Sequence, residues 1–126
     1  MKEKCGNIYN ILKVPVVFMI KKLSFTGEDY QVVHQFDGWK IGMLRYSDRF
    51  SKFDRLERHM LTDEIFVLLS GEAVLYSDSE QIKMEKSVAY SVPKGEWHHV
   101  VVSKDANILI VENVETGDQN TEIKFI

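Results

Sequence analysis

The sequence predicts an all-β domain, either a sandwich or a barrel. Six runs of six to eight residues are rich in β-branched or aromatic side chains and are bounded by Gly, Ser, Asp, Asn or Pro. No amphipathic helical run of about 12 residues or more competes with them, and only residues 51–59 or the N-terminal arm leave room for a short helix. Many short strands at this spacing are typical of sandwiches and barrels. The predicted strands cover residues 39–46, 64–70, 72–77, 87–92, 98–103 and 107–113.

Alternation within these runs predicts which side chains share a face. The segment LLSGEAVLY predicts a hairpin that turns at Ser70 and Gly71, because glycine takes a positive φ without strain. In the run that begins at Trp39, side chains two apart project together. Met43 and Arg45 then lie on the same side as Trp39, with Arg45 at the end of that apolar side.

The composition indicates one domain that does not bind nucleic acid. The chain has 126 residues, of which 44% are hydrophobic and 28% charged, as in soluble domains with a single core. Its net charge of −3 argues against a nucleic-acid surface, since phosphate binding requires a basic excess. The single cysteine, Cys5, cannot form an internal disulfide. We therefore expect a reducing, cytoplasmic location.

The N-terminal residues form a separate apolar segment. Residues 8–20 are apolar but are interrupted by Lys13 and Pro15, so the run is shorter than the roughly 20 residues that a membrane-spanning helix needs. We expect no membrane association. Residues 1–22 are predicted to be an arm or strand that could lie at a homodimer interface, and residues 23–126 to be the main domain.

A set of polar residues at the ends of the predicted strands carries the chemistry. On a strand Glu57 and His59 project together, and residues 60–63 then form a turn that leads to Glu64. His98 shares a face with Val100 further along the chain. If these faces look into one barrel, His59, Glu64 and His98 converge. Two imidazoles and one carboxylate are the ligand set of non-haem iron sites with open positions.

At these residues the sequence resembles the cupins, which are small double-stranded β-helix (jelly-roll) domains. The first cupin motif is G-x5-H-x-H-x3–4-E-x6-G, and the second is G-x5-P-x-G-x2-H-x3-N. The resemblance spans residues 39–112. This chain reads Glu57-x-His59-x4-Glu64-x6-Gly71 for the first motif and Ser87-x5-Pro93-x-Gly95-x2-His98-x3-Val102 for the second.

The chain departs from the cupin pattern at several positions. The opening glycine of the first motif has no match, Glu57 replaces the first histidine, and Ser87 and Val102 replace a glycine and an asparagine. The resemblance therefore implies three metal ligands, with Glu57 as a fourth ligand or a general base. An added carboxylate favours a divalent Mn or Fe ion, or less selectively Zn or Ni. The implied ligands are His59, Glu64 and His98.

Other polar and aromatic residues have weaker assignments. Arg45 is a candidate to orient a carboxylate substrate, with an exposed strand-edge position as the alternative. We predict His99 to be a surface or pocket-edge residue and His34 a surface residue. Trp97 and Tyr90 are expected to pack against the core, although the Tyr90 hydroxyl could instead reach the pocket. Residues 48–58 are expected to form a solvated loop or lid.

Three functions follow from the resemblance and stay open at this point. The first is a metal-binding cupin that binds or acts on a small polar metabolite, a sugar or a carboxylic acid, with Glu57 and Arg45 as catalytic candidates. The second is a metal-free enzyme similar to ureidoglycolate lyases, in which E-R-H and W-H-H segments recur. The third is a non-catalytic ligand-binding cupin. The fold by itself does not choose among them.

Overall fold

The computed structural model describes residues 19–126 and confirms the all-β fold class. Within that part of the chain there are ten strands and two short 3-10 turns, at Asp48–Phe50 and Asp118–Asn120. No helix among the described residues has the length and apolar character needed to cross a membrane. The strands are β1 Asp29–Phe36, β2 Trp39–Arg45, β3 Arg55–His59, β4 Glu64–Ser70, β5 Ala73–Ser77, β6 Gln81–Lys83, β7 Ala89–Val92, β8 His98–Val102, β9 Asn107–Asn113 and β10 Thr121–Phe125.

The strands form two five-stranded sheets that face each other. The first sheet has the order β1-β2-β9-β4-β7, and the second has the order β10-β3-β8-β5-β6. All neighbouring strands are antiparallel. From β2 to β10 nearly every connection passes from one sheet to the other, which is the connectivity of a jelly roll.

The predicted hairpin at Gly71 is wrong, because the chain changes sheets there. β4 pairs with β7 and β9, whereas β5 pairs with β6 and β8. Gly71 does adopt a positive φ of 75°, and a Cβ at this position would lie 2.5 Å from the Cα of Ala106. The turn is therefore a tight crossover packed against the β8–β9 loop. The hairpin in this region is formed by β5 and β6.

The backbone is left-handed at three positions where the cupin motifs have glycine. Gly71 and Gly95 have φ values of 75° and 80°. Ser87 stands where the second motif has glycine and keeps a positive φ of 66°. The chain therefore makes a left-handed turn at this position without glycine, the residue that adopts it most readily.

Three strands, β1, β6 and β10, were not predicted from the sequence. β1 contains an irregularity between Val32 and His34 that shifts its register against β2, so its apolar residues do not alternate along the strand. β6 has only three residues, and β10 is an edge strand with mostly exposed side chains. The segment predicted as a lid contains a 3-10 turn with a buried Phe50, followed by β3 rather than a helix.

The core lies between the sheets, and polar residues continue its inner face at one end. On β4 the buried Phe66 and Leu68 follow Glu64 in the same alternation. On β8 Val100 follows His98 in the same way. On β9 Ile110 is succeeded by the buried Glu112. These strands therefore bury apolar side chains along most of their length and place polar ones together at a single end.

Candidate metal centre and its pocket

Three predicted residues come together at the polar end of the core. His59 ends β3, Glu64 begins β4 and His98 begins β8. Their ligand atoms all lie within 4.8 Å of one another. The Nε2 atom of His98 is 3.2 Å from Oε1 of Glu64, and the Nε2 atom of His59 is 3.5 Å from Oε2 of the same carboxylate.

Hydrogen bonds outside the cluster orient both imidazole rings. Nδ1 of His98 lies 2.9 Å from the carbonyl oxygen of Glu96, which can only accept a proton. Nδ1 of His59 lies 2.9 Å from the hydroxyl of Thr121, and that hydroxyl donates to the carbonyl of Gly117. Both Nδ1 atoms are therefore directed to oxygens outside the cluster, and both Nε2 atoms point toward Glu64. Outer partners of this kind are typical of metal-binding histidines.

The donor set fits a divalent metal ion. Glu64 is 3% exposed, and its Oε1 atom is buried without a hydrogen-bond partner among the described residues. Burial and the neighbouring His98 lower the pKa of His59. Burial also acts to lower the pKa of His98, but the Glu64 carboxylate outweighs it and raises that pKa. Two imidazole nitrogens facing a buried carboxylate suit Mn, Fe, Ni or Zn.

Glu57 lines the same pocket but is held apart from the three-residue cluster. Its Oε1 atom accepts a hydrogen bond of 3.1 Å from Arg49, and its Oε2 atom lies 3.5 Å from Nδ1 of His99. Burial by itself would raise the pKa of Glu57, yet His99 and Arg49 hold it at about 2. In this arrangement the carboxylate is paired with protein cationic and polar groups rather than with His59 and His98.

Of the two positions predicted for His99, surface or pocket edge, the structure excludes the first, because His99 is buried and lines the pocket. Although it lies on the opposite face of β8 from His98, only 2% of the residue is exposed. Phe50 of the first 3-10 turn stacks on its ring, with centroids 5.9 Å apart, and its Nε2 atom donates to the carbonyl of Arg49. The segment before β3 therefore covers His99 and makes it part of the pocket wall.

A second polar group in the pocket was missed by the sequence analysis. The Tyr30 hydroxyl donates to the Glu112 carboxylate, and Lys40 lies 3.8 Å from the same carboxylate. Burial and a hydrogen bond with Glu64 raise the pKa of Glu112 to about 7. Alternation was the signal available for this residue, since Glu112 continues the inner face of Ile108 and Ile110.

Arg45 does not reach the pocket, because the inner face of β2 is the opposite one from that expected. Lys40, Gly42 and Leu44 face inward, and the ring of Tyr30 lies over Gly42. Arg45 donates instead to the carbonyl of Gly27, 3.0 Å away, beside a separate surface cleft. Arg49 and Arg55 are the arginines that line the pocket.

The remaining predicted residues lie outside the cluster. His34 is exposed, as expected. Tyr90 packs against the core, and its hydroxyl accepts a hydrogen bond from the backbone nitrogen of Glu85. Trp97 is half-buried on the second sheet, with the cationic groups of Arg58 and Lys124 each 4.5 Å from its ring centroid.

The residues at the polar end of the core enclose a cavity of about 410 Å³. Its two guanidinium groups already have carboxylate partners, Arg49 with Glu57 and Arg55 with Asp54. The fold and the cluster therefore define a jelly-roll domain with a polar, carboxylate-rich pocket. The cavity is lined by Tyr30, Leu44, Arg49, Phe50, Arg55, Glu57, His59, Glu64, Phe66, His98, His99, Val100, Ile110, Glu112, Thr116, Gly117, Asp118, Thr121 and Ile123.

Family comparison identifies this domain. Residues 53–112 match the family model described as "Cupin domain". That match assigns residues 53–112 to the cupin domain family, and the two-sheet jelly-roll fold agrees with the assignment. No curated protein sequence matches the chain.

Solved structures share the fold at low sequence identity. A cupin-2 domain containing protein from Shewanella frigidimarina is 20% identical, with 71% of this chain and 84% of that chain covered and a TM-score of 0.60. A Streptomyces PAC13 variant with uridine is 18% identical, with 86% and 94% covered and a TM-score of 0.63. KdgF from Halomonas sp. is 11% identical, with 74% and 87% covered and a TM-score of 0.56. Pac13 is described as a nucleoside dehydratase.

Proposed function

We propose that this cupin binds a divalent metal ion through His59, Glu64 and His98 and holds a small polar metabolite in the adjoining cavity. The observation that carries the proposal is the orientation of the two imidazoles. Each Nδ1 proton is directed to an oxygen outside the cluster, so both Nε2 atoms face one buried carboxylate. The three residues therefore direct their ligand atoms at one point, and no group among the described residues bonds to all three.

The metal ion would act as a Lewis acid that polarises a substrate oxygen, or would activate a bound water. Manganese, iron, nickel and zinc are all compatible with two imidazoles and a carboxylate. Glu57 stays ionised across the neutral pH range because its pKa is about 2. A carboxylate of such low basicity is a weak proton acceptor near neutral pH. We therefore assign Glu57 as a fixed hydrogen-bond acceptor for the metabolite rather than as a general base.

The pocket favours a neutral polyhydroxylated metabolite over a carboxylic acid. Within the described residues, both guanidinium groups of the pocket are occupied by carboxylates, and Arg45 lies elsewhere. Among the described residues of the pocket, a carboxylic acid would therefore find no free guanidinium group and would have to pair with the metal ion. Hydroxyl groups, in contrast, donate to carboxylates such as Glu57 and Asp118. A sugar-like ligand is also in keeping with the uridine held by the PAC13 structure.

Metal binding is tested on protein purified without added metal and dialysed against a chelator. Calorimetric titration with Mn²⁺, Ni²⁺ and Zn²⁺ should show one site per chain. His59→Ala and His98→Ala should each weaken binding by at least about 100-fold, which exceeds the loss expected for an outer-shell partner. His34→Ala is the matched control, because His34 is exposed and should bind like wild type. A wild-type protein with no measurable affinity for these ions would end the proposal.

The other functions and the assembly stay predictions. A coupled assay for glyoxylate release separates the metal-free lyase from the metal-binding cupin, and a non-catalytic cupin would bind metal and ligand without turnover. The homodimer, the cytoplasmic location and the absence of nucleic-acid and membrane partners also stay predictions. Residues 1–18 of the predicted arm lie outside the described residues.

A further inference from the structure

We infer that Thr121, on the C-terminal strand β10, is a positioning residue that fixes the tautomer of His59 and so keeps the metal site ready to bind. The inference rests on the proposed function. Thr121 lies beyond residues 53–112, which match the family model, and outside both motifs. The metal site would therefore depend on a strand that carries none of its ligands.

The hydrogen-bond directions at Thr121 follow from a count of protons. The Thr121 hydroxyl donates its one proton to the carbonyl of Gly117, 2.8 Å away. The same oxygen lies 2.9 Å from Nδ1 of His59, and it is able only to accept there. Nδ1 of His59 therefore carries the proton, and Nε2 presents a lone pair to the cluster.

The surrounding backbone holds this arrangement in place. Thr121 and His59 are directly opposite each other in the β10–β3 pairing. The carbonyl of Gly117 also accepts from the backbone nitrogen of Asn120, 3.1 Å away, and the Asn120 side chain accepts from the nitrogen of Gly117 at 3.1 Å. The acceptor for the Thr121 proton is thus part of a closed turn with little freedom to move.

The Thr121 hydroxyl competes with Glu64 for the imidazole proton. Nε2 of His59 is 3.5 Å from Oε2 of Glu64. Without the hydroxyl, Nδ1 loses its acceptor, and the proton is better placed on Nε2, where it faces the carboxylate. A metal ion would then have to displace that proton. His98 is oriented by the backbone of Glu96, so Thr121 is the anchor that a substitution can remove.

The test compares Thr121→Val with Thr121→Ser in two measurements. In metal-free protein, ¹⁵N NMR of the His59 ring reports which nitrogen is protonated, and calorimetry reports the affinity for Co²⁺ and Zn²⁺. We expect the Nδ1–H tautomer in wild type and in Thr121→Ser, and Nε2–H in Thr121→Val. The affinity of Thr121→Val should fall about 10- to 100-fold, as for other outer-shell partners. Thr121→Ser should restore it.

Thr62→Val serves as the matched control. Thr62 lies in the turn between His59 and Glu64, and its buried hydroxyl has no hydrogen-bond partner within residues 19–126. The Thr62→Val variant should therefore keep both the His59 tautomer and the metal affinity of wild type.

Each outcome decides between the inference and the proposed function. A wild-type spectrum with the proton on Nε2 of His59 would overturn the inference, even if Thr121→Val failed to fold. A Thr121→Val variant with the metal affinity and the His59 tautomer of wild type would also overturn the inference. A wild-type protein that binds no metal would instead overturn the proposed function, while the NMR measurement would still read the tautomer.

Discussion

Glu57 occupies the position of the first histidine in the cupin motif, and its surroundings suit a carboxylate. Arg49 donates to one carboxylate oxygen, and His99 lies beside the other. A carboxylate here is stable in the folded protein because both partners are part of the pocket wall. At this position the chain therefore has an ion pair that connects β3 to the preceding turn.

This ion pair predicts a specific pH dependence of stability. The pKa of Glu57 is about 2 in the folded protein, whereas its reference value, which we take for the unfolded chain, is 4.5. The unfolded chain therefore binds this proton more readily. The carboxylate then contributes stability above pH 4.5 that is lost as the pH falls toward 2. At neutral pH, Glu57→Gln should reduce the free energy of unfolding by on the order of 3 kcal/mol.

Urea unfolding in the presence of a chelator measures this effect at a series of pH values. The difference between wild type and Glu57→Gln should be constant near neutral pH and should shrink between pH 4.5 and about 2. Glu80→Gln is the control, because Glu80 is exposed and should change stability by less than about 0.5 kcal/mol. A difference that does not vary with pH would contradict the ion-pair explanation.

The sequence alone could predict the candidate metal ligands but not the residues that contact them. The spacing of His59, Glu64 and His98 matches the motifs, and alternation places them on inner faces. Thr121 contacts His59 across 62 positions of sequence, and no local pattern marks that contact. The burial of His99 depends on Phe50 from the preceding turn, which alternation within β8 does not reveal.

At the scale of the strands, alternation predicted most of the β structure, but turn chemistry did not predict which sheet each strand joins. The runs at residues 64–70 and 107–113 match β4 and β9 at both ends. Gly71 was correctly placed in a turn with a positive φ. A glycine with this conformation suits both a hairpin and a crossover, however, and the choice depends on pairings with β7, β8 and β9, which are distant in sequence.

The crossover at Gly71 should be intolerant of a side chain. A Cβ there would lie 2.5 Å from the Cα of Ala106 and 2.7 Å from its nitrogen, and the φ of 75° is strained for other residues. Gly71→Ala should therefore reduce the free energy of unfolding by about 1–3 kcal/mol or more, measured by urea denaturation. Gly38→Ala is the control, since a Cβ at Gly38 meets nothing within 4 Å. Equal stability of the two variants would show that the crossover is not close-packed.

At the scale of the whole molecule, the candidate metal centre joins the two sheets. Glu64 belongs to β4 in the first sheet, whereas His59 and His98 belong to β3 and β8 in the second. The remaining core contacts between the sheets are apolar and follow the alternation of the strands. At the polar end of the barrel, charged and polar side chains share the inner positions with apolar ones around a cavity. A bound ion would connect the two sheets at this end.

Because the three ligands come together only in the folded barrel, metal binding should raise the thermal stability of the whole domain. An ion that binds only the folded state at 100 times its dissociation constant adds about 2.7 kcal/mol. For a domain of this size the midpoint of thermal unfolding should then rise on the order of 10 °C. Calorimetry of wild type with and without Zn²⁺ measures the rise, and excess chelator should reverse it.

His34→Ala should keep the full shift and His98→Ala should lose it, since binding without one imidazole no longer favours the folded state over the unfolded chain. An equal shift in His98→Ala would mean that the stabilising ion binds elsewhere and that the two sheets are not joined through this centre.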